Sequence, residues 1–191
     1  MDRDSLVDLL LETASLKRTP RAGWQMRGVP HVESVAEHSF GVAFVALALA
    51  EALAAGPGEG AALDLEKVLV MALLHDLAEV RLTDLPSTAV RLVPAQVKSE
   101  AEARAMAELL APLPGGGALA ALWQEFEDND GPEGRLVRDA DKLEMMVQCL
   151  HYELAGSRGL DEFWRSMDGR AWNYPLCAKL YGRLRAMRPE R

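Results

Sequence analysis

Residues 68–74, VLVMALL, are apolar without a break, and the chain then runs directly into His75 and Asp76, with Glu79 three positions on. A helix through this stretch shows apolar side chains nearly all round, so it has to lie inside the molecule. Burying an unpaired charge is expensive, and the fold must therefore bring partners to these polar side chains. On an ideal helix His75, Asp76 and Glu79 fall within an arc of roughly 100°, close enough to converge on one target.

The remaining segments repeat the helical period, and none shows the sustained alternation of a half-buried strand, so the chain reads as all-α. The periodicity predicts helices over about 3–15, 34–54, 64–80, 95–111, 118–128, 133–155, 160–167 and 174–187, with ends placed to roughly two to four residues. AAGPGEGAAL and LPGGGA punctuate them as loops. In ESVAEH, Ser34 and Glu37 form the S-x-x-E pattern of a capping box. That sets His38 in the first turn of the second helix, on one face with Val42, Val45 and Leu49. The sixth helix lines up Leu136, Ala140, Leu143, Val147 and Leu150, with Asp141 at the edge of the stripe and Gly156 placed to end it.

A chain of 191 residues is long enough for one sizeable core and short for two, so one domain over 1–191 is expected. A net charge of −8 with 6% aromatics argues against a nucleic-acid polymer as partner, which would call for a basic face, and leaves room for a small anionic ligand. Cys149 and Cys177 show neither CxxC spacing nor the density of a secreted framework, so reduced thiols are the default. No export signal opens the chain. The apolar run FGVAFVALALA is shorter than the roughly 18 residues a membrane span needs. No membrane contact and a cytoplasmic location are expected.

His38, His75, Asp76 and Asp141 come from three predicted helices, each at a position whose helix face is otherwise apolar. Two imidazoles and two carboxylates make a mixed nitrogen and oxygen set that suits a divalent transition metal, and such a cation would remove the burial penalty. Each residue alone has a plainer reading. An inward histidine is more often a hydrogen-bonded core residue, and Asp139 competes with Asp141. The adjacent His75–Asp76 pair is the stronger signal.

The order H…HD…D, together with LKRTPRAGW, ESVAEHS, HDLAEVRLTDLP and DADKLEM, resembles the HD-domain metal-dependent phosphohydrolases and, within them, the 5′-deoxynucleotidases. The likeness runs from about residue 16 to 153. It implies a single HD-domain helical bundle, with His38, His75, Asp76 and Asp141 as ligands of one divalent metal ion per subunit. Asp141 takes precedence over Asp139 by its place directly before KLEM. The resemblance further implies that Glu79 and Asp84 act at the reacting phosphate and that Arg21 binds it. Thr83 stands where the family often has glycine, which predicts a changed loop geometry beside Asp84.

The chemistry suits the residue types. A divalent ion can polarise a phosphate oxygen and lower the pKa of water for in-line attack, and Glu79 can move the proton. The ligand set suits manganese, cobalt, iron, nickel or zinc alike. KRTPRAGWQMR is a basic island in an acidic chain. Its Arg21 either clamps phosphate with two parallel hydrogen bonds or belongs to a solvated loop. Trp24 either packs against a sugar or base or anchors that loop, and Met145 and Met146 read as core filler. His31 and His151 fall outside the site.

The C-terminal helix puts Leu176, Leu180, Leu184 and Met187 on one face, to pack on the core or on a partner, and the resemblance favours a homodimer. The combined reading is a phosphohydrolase acting on deoxyribonucleoside 5′-monophosphates. The alternatives are an HD phosphohydrolase for another nucleotide or small phosphate ester, and a non-catalytic metal- or nucleotide-binding module.

Overall fold

The longest helix, α9 (Gly131–Leu154), buries Leu136, Val137, Ala140, Leu143, Met146 and Leu150 along one stripe, and the other elements are arranged around it. The computed structural model describes residues 3–56 and 63–189. In order along the chain, α1 (Arg3–Thr13) leads into a 3₁₀ turn (Ala14–Lys17), α2 (Ala22–Gln25), α3 (Val35–Ala54), α4 (Leu65–Leu74), α5 (Glu79–Leu82) and α6 (Ser87–Val90). α7 (Ala95–Leu110), α8 (Gly116–Glu127), α9, α10 (Asp161–Met167) and α11 (Pro175–Ala186) follow. Among the described residues there is no strand, only an isolated bridge between Pro20 and Ser34. The loop read from AAGPGEGAAL falls largely on residues 57–62, outside the described residues.

α3, α4 and α9 pack on one another and enclose the main core, with α8 and α11 laid against α9. A smaller cluster of Leu74, Ala78, Ala105, Met106, Leu110 and Trp123 lies under α7 and α8. Local signals set the helix starts. The capping box is present, with Ser34 Oγ accepting from the Glu37 amide at 3.2 Å and Glu37 Oε2 accepting from the Ser34 amide at 2.6 Å. Asp64 caps α4 by accepting the Lys67 amide, and Asp130 caps α9 by accepting that of Gly131. α3 is 20 residues long with a mean hydropathy of 1.4 over its most apolar stretch, enough by length and composition to cross a membrane. The apolar run by itself had not shown this. Its face of Val35, His38, Val42, Ala46 and Leu49 is spent inside the core.

Two expectations change. The helix expected over 64–80 ends at Leu74, and residues 75–78 form tight turns before α5. There the amides of Leu77, Glu79 and Val80 bond three residues back, to Leu74, Asp76 and Leu77. The cause is competition for carbonyls. The His75 ring donates to Ala72 O at 2.8 Å, and Trp123 Nε1 donates to His75 O at 3.3 Å, so the helical ladder tightens. The C-terminal stripe is also rotated from its expected place. Cys177 and Tyr181 are the buried residues of α11, because the Tyr181 hydroxyl finds Trp164 O and Asp168. Leu176 and Leu184 flank the core, and Leu180 and Met187 face outward.

α5 ends at Thr83 with φ 59° and ψ 168°, a region in which only glycine is unstrained. The position where the family often has glycine thus has a glycine-type backbone, and the threonine there is strained. Such strain costs about 1–3 kcal/mol, against about 0.5–1 kcal/mol for ordering a glycine. Thr83→Gly is therefore expected to stabilise the protein by roughly 0–2.5 kcal/mol in denaturant unfolding at fixed metal content. A variant less stable than the parent would show that Thr83 is unstrained.

Candidate active site

His38 enters the core from the first turn of α3, its ring wholly buried. Its Nδ1–H donates to Glu144 Oε2 at 2.5 Å. Gly41 makes this contact possible, since a Cβ there would stand 2.6 Å from Glu144 Oε1. His75, at the break after α4, donates its Nδ1–H to Ala72 O. With both Nδ1 hydrogens committed, the two Nε2 lone pairs face each other at 3.4 Å. Asp76 Oδ2 lies 3.3 Å from His75 Nε2 and 3.7 Å from His38 Nε2, and Asp141 Oδ1 lies 3.4 Å from His38 Nε2. Donor atoms of His38, His75 and Asp76 thus lie within 4.8 Å of one another, and Asp141 adjoins this group through His38.

Cations flank this centre. Arg21 Nη1 donates to Asp76 Oδ2 at 3.0 Å, and its Nε lies 4.0 Å from Asp84 Oδ2. On the far side Lys142 Nζ is 2.8 Å from Asp141 Oδ2. Burial works against the Asp76 charge, but His75, Arg21 and His38 hold its carboxyl well below the usual range. For Asp141, burial is likewise outweighed by Lys142 and His38. Burial and the Arg21 charge oppose a proton on His38, yet Asp141, Glu144 and Asp76 lift its pKa to about 9. For Glu79 the balance is reversed: burial first, then Asp76 and Asp84, outweigh Arg21 and His38 and push it up to about 9. Its Oε2 is buried without a hydrogen-bond partner.

These side chains open onto a cavity of about 680 Å³ whose wall includes Arg21, Glu79, Asp84, Lys142, Met145 and Phe163. Asp84 Oδ2 accepts the Ala22 amide at 2.7 Å, which ties the loop carrying Arg21 to the end of α5. Trp24 is not the open face that a sugar or base would need. It is 2% exposed, its Nε1 donates to Glu33 at 2.8 Å, and Phe163 lies over its ring at 4.0 Å between centroids. It anchors the loop. Asp139 is fully buried too, but it accepts from Asn173 and the Tyr174 amide and holds the C-terminal segment. Met146 is core, whereas Met145 is half-buried on the cavity wall. His31 and His151 are exposed and apart from the four ligands.

Three residues of the site were not singled out from the sequence: Glu144, Lys142 and Phe163. Glu144 carried a usable signal, since it lies three positions after Asp141 and on a helix shares its face. Phe163 carried none, because nothing local joins α10 to the motifs.

Two imidazole lone pairs and two ionised carboxylates call for a cation. The donor separations of 3.3–3.7 Å approach the roughly 3.0–3.4 Å expected between neighbouring ligands held about 2.1 Å from one ion. The residues present thus fit a divalent metal. Comparison with known proteins agrees. The family model described as HD domain matches residues 13–171. The chain is 31% identical over 197 residues to 5′-deoxynucleotidase HDDC2 of Danio rerio, with 98% of this chain and 88% of the relative covered. It is 34% identical over 172 residues to the Dictyostelium discoideum protein of that name, covering 86% and 88%. A conserved hypothetical protein from Pyrococcus furiosus superposes with a TM-score of 0.78 at 39% identity, covering 95% of this chain and 98% of that one. Matched by the family model over most of its length, and by relatives above 30% identity across nearly all of it, this chain belongs to the HD domain family.

Proposed function

We propose that the protein hydrolyses deoxyribonucleoside 5′-monophosphates, using one divalent metal ion held by His38, His75, Asp76 and Asp141. The observation that carries this reading is the cluster of His38, His75 and Asp76 donor atoms, with Asp141 of α9 against His38, beside Arg21 and the unpartnered Glu79 Oε2. The substrate class draws on relatives named 5′-deoxynucleotidases. When bound, the ion supplies Lewis acidity toward a phosphoryl oxygen and lowers the pKa of water. Arg21 holds the phosphate with those guanidinium N–H groups not given to Asp76. Asp84 fixes the Arg21 loop through the Ala22 amide. Glu79, aimed into the cavity and bonded to nothing, moves the proton between the attacking water and the departing 5′-oxygen. No covalent intermediate is needed.

Manganese, cobalt, iron, nickel and zinc all suit this ligand set, so the test supplies them one at a time. Chelator-treated protein should release no phosphate from deoxynucleoside monophosphates. Adding a single metal should restore release, with slower turnover of the matched ribonucleotides. His75→Ala and Asp76→Ala should lose both bound metal, by elemental analysis, and activity. Full metal occupancy in these variants would refute the ligand assignment, and equal rates on ribonucleotides would refute the deoxy preference.

Glu79→Gln keeps the shape but not the proton-transfer group. It should retain metal and lose about 10²-fold to 10⁴-fold in turnover; near-parental turnover with metal in place would make Glu79 structural.

We further place the chain in the cytoplasm, which suits its two buried, unpaired cysteines, and as a homodimer. With Leu176 and Leu184 of the α11 stripe packed on the core, the support for a dimer is Phe40 and Phe44, one turn apart on α3 and 75% and 62% exposed. Light scattering at micromolar protein should give twice the chain mass. A monomeric mass would contradict the dimer.

A further inference from the structure

The cavity has an aromatic wall that phosphate chemistry does not use. It starts in the core, where Glu33, itself buried, accepts the Trp24 indole N–H at 2.8 Å and Tyr152 packs edge-on against the same indole. Trp24 is thereby fixed. Phe163 of α10 lies over it, with centroids 4.0 Å apart and planes tilted by 30°. The tip of the Phe163 ring meets Gly23, where an added Cβ would stand 3.3 Å from Cζ. One side and the tip of the ring are thus covered, and the rest lines the cavity, Phe163 being only half-buried.

Position gives this ring its meaning. Gly23 is two residues from Arg21, a backbone reach of at most roughly 7 Å, and the side chains of Phe163 and Arg21 line one cavity, so the ring and the guanidinium would face the same bound molecule. The lining mixes apolar side chains with charges that pair with one another. Met26, Val90 and Met145 line the same cavity, while Glu162, next to Phe163, pairs with Arg27 and lies 3.9 Å from Arg91. A ring pre-packed on a buried indole offers aromatic contact at little cost in side-chain entropy.

We propose that Phe163 is the platform for the nucleobase, in aromatic contact with the heterocycle while Arg21 holds the 5′-phosphate. The proposal rests on the phosphohydrolase reading above and extends it from the phosphate to the other end of the substrate. Every base has a π-face, so such a platform recognises that a base is present more than which base it is.

The test compares 2′-deoxyadenosine 5′-monophosphate with 2-deoxyribose 5-phosphate, which carries the same phosphate and no base. The parent should prefer the nucleotide in kcat/KM. Phe163→Ala should shrink that preference by about fivefold to a hundredfold, the range measured for loss of one base–aromatic contact, chiefly through KM. Phe163→Leu refills most of the side-chain volume and should also shrink it, which separates loss of the ring from loss of the fold. A parent without preference, or variants that lose rate on both substrates in equal measure, would overturn the platform. Should the parent release phosphate from neither compound, the hydrolase reading fails and calorimetric binding of the same two ligands decides. Tighter nucleotide binding that weakens in Phe163→Leu supports the platform, and equal binding of the two overturns it.

Discussion

Two imidazole lone pairs pointing at each other 3.4 Å apart repel unless something positive lies between them. A proton can fill that role, and the lifted pKa of His38 shows the pull of the surrounding carboxylates for one. A divalent cation fills it better, because it satisfies both nitrogens and both aspartates at once. The elements around the centre serve this arrangement. Glu144 and the Ala72 carbonyl each take an Nδ1 hydrogen and so fix the ring orientations. Gly41 clears the way for Glu144, and the capping box sets where α3 begins and hence where His38 points.

Much of this was legible in the sequence because the burial argument is local. An unbroken apolar run ending in His75–Asp76 demands a partner whatever the tertiary structure, and the capping box fixes His38 without reference to any other element. Asp141 was harder. Pattern alone left it level with Asp139, and the packing distinguishes them, since both are buried but only Asp141 faces the histidines. The helix expected through residue 80 failed for a reason that lies outside the segment. Trp123, from α8, takes the His75 carbonyl, and no periodicity within 64–80 reports a donor some fifty residues away.

Trp24, which the sequence leaves open as either a face for sugar or base or an anchor for its loop, is decided by contacts of the same non-local kind, with Glu33 and Tyr152 drawing the indole inward. The cavity-facing surface passes to Phe163, on a helix that shares no motif with the rest of the site. Thr83 is the reverse case. A departure from the family's residue was visible at once, and the structure shows that Thr83 adopts a positive φ that strains its own backbone.

Helix α9 has one more property. Within two turns it presents Asp139 to the C-terminal segment, Asp141 to the histidines, and Glu144 to the back of His38. Each residue along a helix advances the azimuth by about 100°, so the three duties are separated purely by counting. A substitution in this stretch changes one contact. An insertion or deletion of a single residue turns everything beyond it through that angle and breaks the register between metal ligand, histidine support and C-terminal anchor together. The length of α9 between Asp139 and Glu144 is therefore as much a part of this site as the side chains themselves.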